Sequence, residues 1–538
     1  MNKALLFLPR ILLLIGFIIG GYSWLTGTMD SLFTYRSPLK NNPPPVGEPV
    51  GAPLVRRVVF VVVDALRLDT SLKSEVMPNL NRLRQVGASA SIHSQPPSFS
   101  QPGYATLLTG AWPDINDSPV INVEVQGLYP FTQDDIFSSA HRAGHKTALS
   151  AFNWFEKLIP VEAVDVTFST PLEDQQADRQ VVDAALPWLE SNDYQFVLIH
   201  LDQVDYAGHH EGGPRDPRWD AAAKRADDLL GELLETLDLS KDAILVVSDH
   251  GQIDQGGHGG QDAIVLLEPF LLAGRGIKPG QYGDANMVDV APTLAALLGA
   301  SLPASSQGRV LTEMLDIHPQ LIAYINALSA EQQIQLVSNY RQAVLPENTS
   351  LTSIDAVRQA RLTSERLPRA VISLFILSLP ATFLFWKRNR GMLWLVGGAL
   401  IYTTLFHTRF ILLDGRAYSL SSLEGVEQAI SYFGTTVLIS FLIASIAFFI
   451  CTKPFNKSPQ LALISIMDLA LCIIFLLAIP VLFSYFLNGW QAVWTLPEFN
   501  STMVAFINGM QILFIGAVGL LLAGLWALVS FLRLKIRN

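Results

Sequence analysis

The sequence predicts an α/β domain with a mostly parallel sheet covered by helices, followed by an α-helical transmembrane domain. Two observations lead there. Between residues 54 and 310, short apolar runs alternate with helical patterns, as in a sheet whose parallel strands are joined by helical crossovers. From residue 369 onward, long apolar segments recur. Over the whole 538-residue chain half the residues are hydrophobic and only 16% are charged, which suits a membrane component.

Taken in order, residues 11–27, "ILLLIGFIIGGYSWLTG", are apolar and about long enough to span a bilayer. Lys3 and Arg10 precede them. A cleaved signal peptide is the alternative, but no clear small-x-small cleavage site follows, so residues 1–30 read as an uncleaved anchor. The linker at 31–53 contains "SPLKNNPPPVGEP", whose prolines favour an extended spacer. Five apolar runs then read as strands buried on both faces: "VVFVVV" (58–63), "TALSAF" (147–152), "FVLIHL" (196–201), "AILVVS" (243–248) and "AIVLLE" (263–268). A helix is expected over 217–237. Residues 311–368 are more polar and helical in pattern, a juxtamembrane stalk. Five further spans are expected at 369–386, 391–413, 428–451, 461–487 and 503–532, making 369–538 the membrane domain.

The connections give a topology. "WKRNR", "TKPFNK" and "RLKIRN" are basic, whereas "DGRAYSLSSLEGVE" and "NGWQAVWTLPEFN" are acidic or nearly neutral. The positive-inside rule places both termini in the cytoplasm and the α/β domain outside it, in a periplasmic, extracellular or lumenal space. The net charge of −10 argues against a nucleic-acid partner. The two cysteines, Cys451 and Cys472, both lie in apolar C-terminal stretches, so the α/β domain has no disulfide framework and no cysteine metal site. At about 250 residues it can bury an adequate core without one.

The chemistry gathers at strand ends. Asp64 follows "VVFVVV", Asp202 and Asp205 follow "FVLIHL", and Asp249 and His250 follow "AILVVS". In parallel α/β folds, ligands bind beyond the carboxyl ends of the strands. A single acid there is usually a turn or a cap. Three such ends, joined by His209, His250 and His258, point instead to one site. Asp205 and His209 are four apart and can face one ion. Carboxylates with neutral imidazoles suit zinc, and six such ligands exceed one tetrahedral site but fit two. Two metals about 4 Å apart are a common device for phosphoryl transfer. A nucleophile belongs at a helix N-terminus near Asp64, and "PPSFSQPGYATLLTG" supplies Ser98 and Ser100. The plain alternative for either is an N-cap.

"VVDALRLD" with "MPNL", then "HLDQVDYAGHHEGGP", then "SDHG" and "GGHGG" resemble in order and spacing the metal motifs of the alkaline phosphatase superfamily. The likeness falls within its type I phosphodiesterase/nucleotide pyrophosphatase branch and is greatest to the GPI ethanolamine phosphate transferases. It covers about residues 54 to 300, with a similar plan of one domain followed by several spans. The resemblance implies an alkaline-phosphatase-like fold and two Zn2+ ions. Asp64, Ser100, Asp249 and His250 would hold one zinc, and Asp205, His209 and His258 the other. In this branch the nucleophile lies nine residues before the threonine of "TG"; counting back from Thr109 gives Ser100 and demotes Ser98. The resembling transferases usually use threonine there, and serine keeps the hydroxyl. Asn122 falls near an asparagine that helps hold the phosphoryl oxygen. "NWFEKLIP" has Asn153 where the family has an acidic residue.

The implied function is membrane-bound phosphotransfer through a phosphoserine. Phosphoethanolamine would pass from a phospholipid donor to a glycolipid or small-molecule acceptor. "NGWQAVWTLPEF", with two tryptophans and a phenylalanine, suits an interfacial loop where a lipid head group is presented. The alternatives are a tethered nucleotide or phosphodiester hydrolase and, further off, a sulfatase. Sulfatases modify a residue in a Cys/Ser-x-Pro-x-Arg context, where position 104 here is Tyr, and they pair acids where Asp64 is followed by Ala65. His93, His141, His145, His200 and His318 read as surface or packing histidines, and His210 as solvated or beside a ligand. His407 and Arg409, near the outer end of a span, read as snorkelling residues, with lipid head-group contact as the alternative. Oligomeric state is left open.

Overall fold

A computed structural model describes residues 4–345, 350–385, 391–423, 425–452 and 459–537. It divides into two compact units, one of Leu32–Arg361 with Val493–Thr495, the other of Met1–Ser31, Leu362–Ala492 and Leu496–Asn538.

The first unit is built on a nine-stranded mixed sheet. Its strands are β1 (Val58–Val63), β2 (Ala88–His93), β3 (Thr147–Phe152), β4 (Val166–Thr170), β5 (Phe196–Leu201), β6 (Ala243–Val247), β7 (Leu267–Gly274), β8 (Gly280–Gln281) and β9 (Ala285–Asn286). The order is β4-β3-β5-β1-β6-β7-β2-β8, with β9 also on β2. The first five of these run parallel. All six residues of β1 are buried because helices cover both faces. Val58, Phe60 and Val62 pack with Tyr104, Leu107 and Phe155, while Val59, Val61 and Val63 pack with Val181, Trp219 and Leu230.

The sheet departs from the sequence reading in particular places. β7 begins at Leu267, so most of "AIVLLE" (263–268) is not strand. Asp262 instead accepts backbone hydrogen bonds from Val265 and Leu266 and makes a turn. β7 is antiparallel to both β6 and β2, because no crossover helix separates it from β6. The expected helix over 217–237 spans Pro217–Glu235, with Asp216 as its N-cap.

Two segments expected to stand off the domain lie against it. In the proline-rich linker, Val50 and Gly51 donate to Ala300 and Gly299 at 3.1 Å each, and Arg36 pairs with Asp117 at 2.6 Å. In the expected stalk, the helix Pro319–Val344 buries Ile325, Leu336 and Tyr340, and Gln332 donates to the carbonyls of Ala304 and Ser306. Its apolar stripe needs a partner surface, which a free stalk would not offer.

The second unit is helical. Among the described residues, five helices are long and apolar enough to cross a membrane: Phe7–Phe33, Gly391–Leu413, Gln428–Thr452, Gln460–Asn488 and Phe499–Leu522. The further span expected at 369–386 continues the helix Ile354–Phe385, and residue 386 lies outside the described residues. So do Lys3 and the basic positions 387–390 and 453–458 used in the topology reading. Polar pairs lock the bundle: Arg10 Nε donates to Asp468 at 2.8 Å with both side chains buried, and the Tyr402 hydroxyl donates to Gln511 at 2.8 Å. An ion pair buried this way is costly to break away from water.

Candidate active site

Register sets the site. β1 lies between β5 and β6, so their carboxyl ends present Asp64, Asp202 and Asp249 side by side. The backbone N–H of Asp64 donates to Leu201 at 2.8 Å, extending the β1–β5 ladder to the acid itself. Ala65 then takes a left-handed conformation (φ 58°) and donates its N–H to Asp249 Oδ1 at 3.2 Å.

The helix Ser100–Thr109 points its first turn at these acids. Phe99 is its N-cap and Ser100 its first residue, so Ser100 makes no capping bond. Its Oγ lies 3.2 Å from His250 Nε2. His250 Nδ1 lies 3.1 Å from the Gly251 carbonyl, which fixes the ring with Nε2 turned to the acids: Asp249 Oδ2 is at 3.4 Å and Asp64 Oδ1 at 3.5 Å. Gly103 allows this approach, since a Cβ there would stand 3.0 Å from both the Cβ and the carbonyl oxygen of Asp249.

A second cluster adjoins the first. His250 and His258 stack with ring centroids 4.0 Å apart. His258 Nδ1 lies 3.1 Å from the Ser98 carbonyl, and its Nε2 is 2.9 Å from His209 Nε2. Asp205 faces both, with Oδ2 at 3.4 Å from His209 and Oδ1 at 3.7 Å from His258. Gln252 donates to Asp205 Oδ1 at 2.6 Å and holds it in place. The helix Gln203–His210 comes so close that a Cβ on Gly208 would overlap the Gln252 amide.

The structure therefore brings together Asp64, Ser100, Asp249 and His250 as one group, and Asp205, His209 and His258 as a neighbouring one. Asn122 sits at the same helix start, its amide oxygen accepting from Gln101 N–H at 3.0 Å. Ser98 faces away from the acids: its Oγ donates to Gly260 O at 2.8 Å and accepts from Gly259 N–H at 3.1 Å. His200 packs against Tyr104 and Phe155, as a packing histidine should, but it also reaches the acids. Its Nε2 is 3.0 Å from Asp64 Oδ2, the oxygen that also accepts from the Tyr104 hydroxyl. With Asp64 and Asp202 it makes a third group of metal-ligand type.

Burial, reinforced by Asp64, pushes the Asp249 carboxyl well above the usual carboxylate range, and burial with Asp64 and Asp205 does the same to Asp202. Burial and the neighbouring His250 push His258 down to about 3, so it offers a lone pair and not a charge at neutral pH. Among the described residues, Asp64 Oδ1 and Asp249 Oδ2 are buried without a hydrogen-bond partner, although both lie near His250 Nε2. Buried orphan carboxylate oxygens are costly unless a cation meets them.

Residues 58–347 match the type I phosphodiesterase / nucleotide pyrophosphatase family. The chain belongs to that family. Among curated relatives, it is 27% identical over 286 residues to the GPI ethanolamine phosphate transferase 2 catalytic subunit of Homo sapiens, covering 50% of this chain and 29% of that protein. It is 24% identical over 460 residues to GPI ethanolamine phosphate transferase 2 of Candida albicans, covering 75% of this chain and 50% of that one. The chain thus spans half or less of the length of these two relatives. Among solved structures, murine ectonucleotide pyrophosphatase / phosphodiesterase 5 aligns over 48% of this chain and all of its own, at 15% identity and a TM-score of 0.41.

Type I phosphodiesterases belong to the alkaline phosphatase superfamily, whose members are typically metal-dependent. The residues here fit a metal: the orphan oxygens of Asp64 and Asp249, together with the His250 lone pair, form an oxygen and nitrogen donor set suited to zinc. Sequence reasoning missed Tyr104 and His200, which meet Asp64, and Gln252, which meets Asp205. One signal was available for His200, a polar residue inside a strand buried on both faces.

Proposed function

We propose that this chain is a membrane-bound two-zinc phosphotransferase, with its catalytic region at 54–310, that moves phosphoethanolamine from a phospholipid to a glycolipid through a phosphoserine at Ser100. The observation that carries the reading is Ser100 Oγ at 3.2 Å from His250 Nε2, beside the orphan oxygens of Asp64 and Asp249. The names of the relatives support the choice of group transferred, and the apolar helices support a lipid donor.

Asp64, Ser100, Asp249 and His250 would hold one zinc, and Asp205, His209 and His258 the second. When bound, the ions would lower the pKa of the serine hydroxyl and neutralise charge on the leaving oxygen. Ser100 Oγ attacks phosphorus as the bond from phosphorus to the diacylglycerol oxygen breaks, and that oxygen takes up one proton for the one Ser100 loses. The acceptor hydroxyl then attacks the same phosphorus, the Oγ–P bond breaks, and the serine regains a proton. The helix Ser100–Thr109 places the positive end of its dipole at Oγ and favours the developing charge. Asn122, fixed through its oxygen on Gln101, keeps its amide hydrogens for a phosphoryl oxygen. Tyr104, His200 and Gln252 hold the carboxylates in place. The domain would lie outside the cytoplasm, with both termini inside.

The test is turnover of labelled phosphatidylethanolamine and of a nucleotide diester by the full-length protein. Consumption of the lipid, with label appearing on a membrane acceptor, is expected. Efficient hydrolysis of the nucleotide with the lipid untouched would leave a tethered phosphodiesterase.

A further inference from the structure

At one end of the helices Gly391–His407 and Val426–Thr452, in the helical unit, lies a shallow hollow of about 500 Å³ lined by Arg409, Arg416, Gln428, Ser431, Tyr432 and Thr435. Two guanidinium groups are fixed over one phenol ring. The Arg416 Cζ is 4.4 Å, and the Arg409 Cζ 5.2 Å, from the Tyr432 centroid. The ring is itself held, its hydroxyl donating to Asp414 Oδ2 at 2.7 Å. Asp414 also meets Arg409 Nε at 3.4 Å, whereas Arg416 gives Nη1 to the Ser422 carbonyl at 2.7 Å and makes no ion pair among the described residues. Among the described residues the hollow thus holds two guanidinium groups against the single carboxylate of Asp414, with their planar donors held in place. A residue that merely snorkelled would need neither the ring nor a second arginine.

We propose that this hollow binds the phosphate of a bilayer phospholipid head group. Arginine forks match phosphate oxygens, and the hydroxyls of Ser431 and Thr435 with the amide of Gln428 line the same space. The surroundings fit a lipid and not a soluble anion. Arg409 lies in the π-helical stretch Thr408–Leu413, where Ile411, Leu412 and Leu413 are 45%, 76% and 74% exposed. An apolar surface thus adjoins the charged hollow at the end of two spans, the depth at which head groups and acyl chains meet. The site is independent of the catalytic reading above.

The experiment uses full-length protein in detergent, loaded with phosphatidylglycerol and weighed by native mass spectrometry. The double variant Arg409→Gln/Arg416→Gln should retain at least about tenfold less lipid than wild type at an unchanged melting midpoint. Millimolar inorganic phosphate should not displace the lipid. Equal retention in variant and wild type, or displacement by free phosphate, overturns the proposal. Should the variant not fold, a photoactivatable phosphatidylglycerol on the wild type decides: label within 409–435 supports the site, and label confined to other segments overturns it.

Discussion

Ser100 Oγ and His250 Nε2 lie 3.2 Å apart across 150 positions of sequence. A helix start and a strand end, distant in the chain, converge on one hydroxyl. Ser100→Ala should therefore cut phosphodiester turnover by at least about a thousandfold while leaving the fold and most of the metal in place. Steady-state kinetics on a chromogenic diester, with melting and metal content as controls, checks this.

Ser98 should behave differently. Its hydroxyl ties the loop at Gly259 and Gly260, and its carbonyl meets His258. Ser98→Ala should lose about 1 kcal/mol of stability and only part of the activity, because a latch goes and not the reacting atom. Denaturant melts and turnover on the same preparation separate the two effects.

Metal content follows the two groups of side chains. The full-length protein should carry about two zinc ions, and the Asp205→Asn/His209→Ala variant about one. Tyr104→Phe removes the hydroxyl that orients Asp64 and should weaken zinc binding about tenfold without unfolding the protein. Elemental analysis after dialysis against graded chelator reads all three; a single calcium would point to the sulfatase alternative.

Much of this site was legible in the sequence, and the reasons are local. Six apolar residues ending in Asp64 announce a buried strand and its active end. The same logic failed at "AIVLLE", where composition suits a strand but Asp262 makes a turn. β2 ("ASASIH") and β4 ("VTFST") went unread because their mixed polarity carries no clear period. Tyr104 and His200 were invisible as a pair: they meet at Asp64 only through the helix approach and the β1–β5 register, which one sequence does not display.

Asp135 gives a pH test away from the metal site. It caps the helix Ile136–Arg142, and burial raises its carboxyl from 3.8 to about 6. A raised folded-state value favours the protonated form, so its contribution is present below the unfolded value and is lost as pH rises from about 4 to 6. Asp135→Asn keeps a good cap and cannot titrate. Across that window wild type should lose about 3 kcal/mol relative to the variant. Chemical denaturation of both proteins at stepped pH measures the difference.

The central claim is a covalent phosphoserine at Ser100. Full-length protein mixed with phosphatidylethanolamine, acid-quenched within the first turnover and digested, can be read by mass spectrometry of the peptide that holds Ser98 and Ser100. The account predicts phosphoethanolamine on Ser100, absent from Ser100→Ala and chased off by the acceptor. Lipid turnover with Ser100 unmodified throughout, or with the group on another residue, would contradict it.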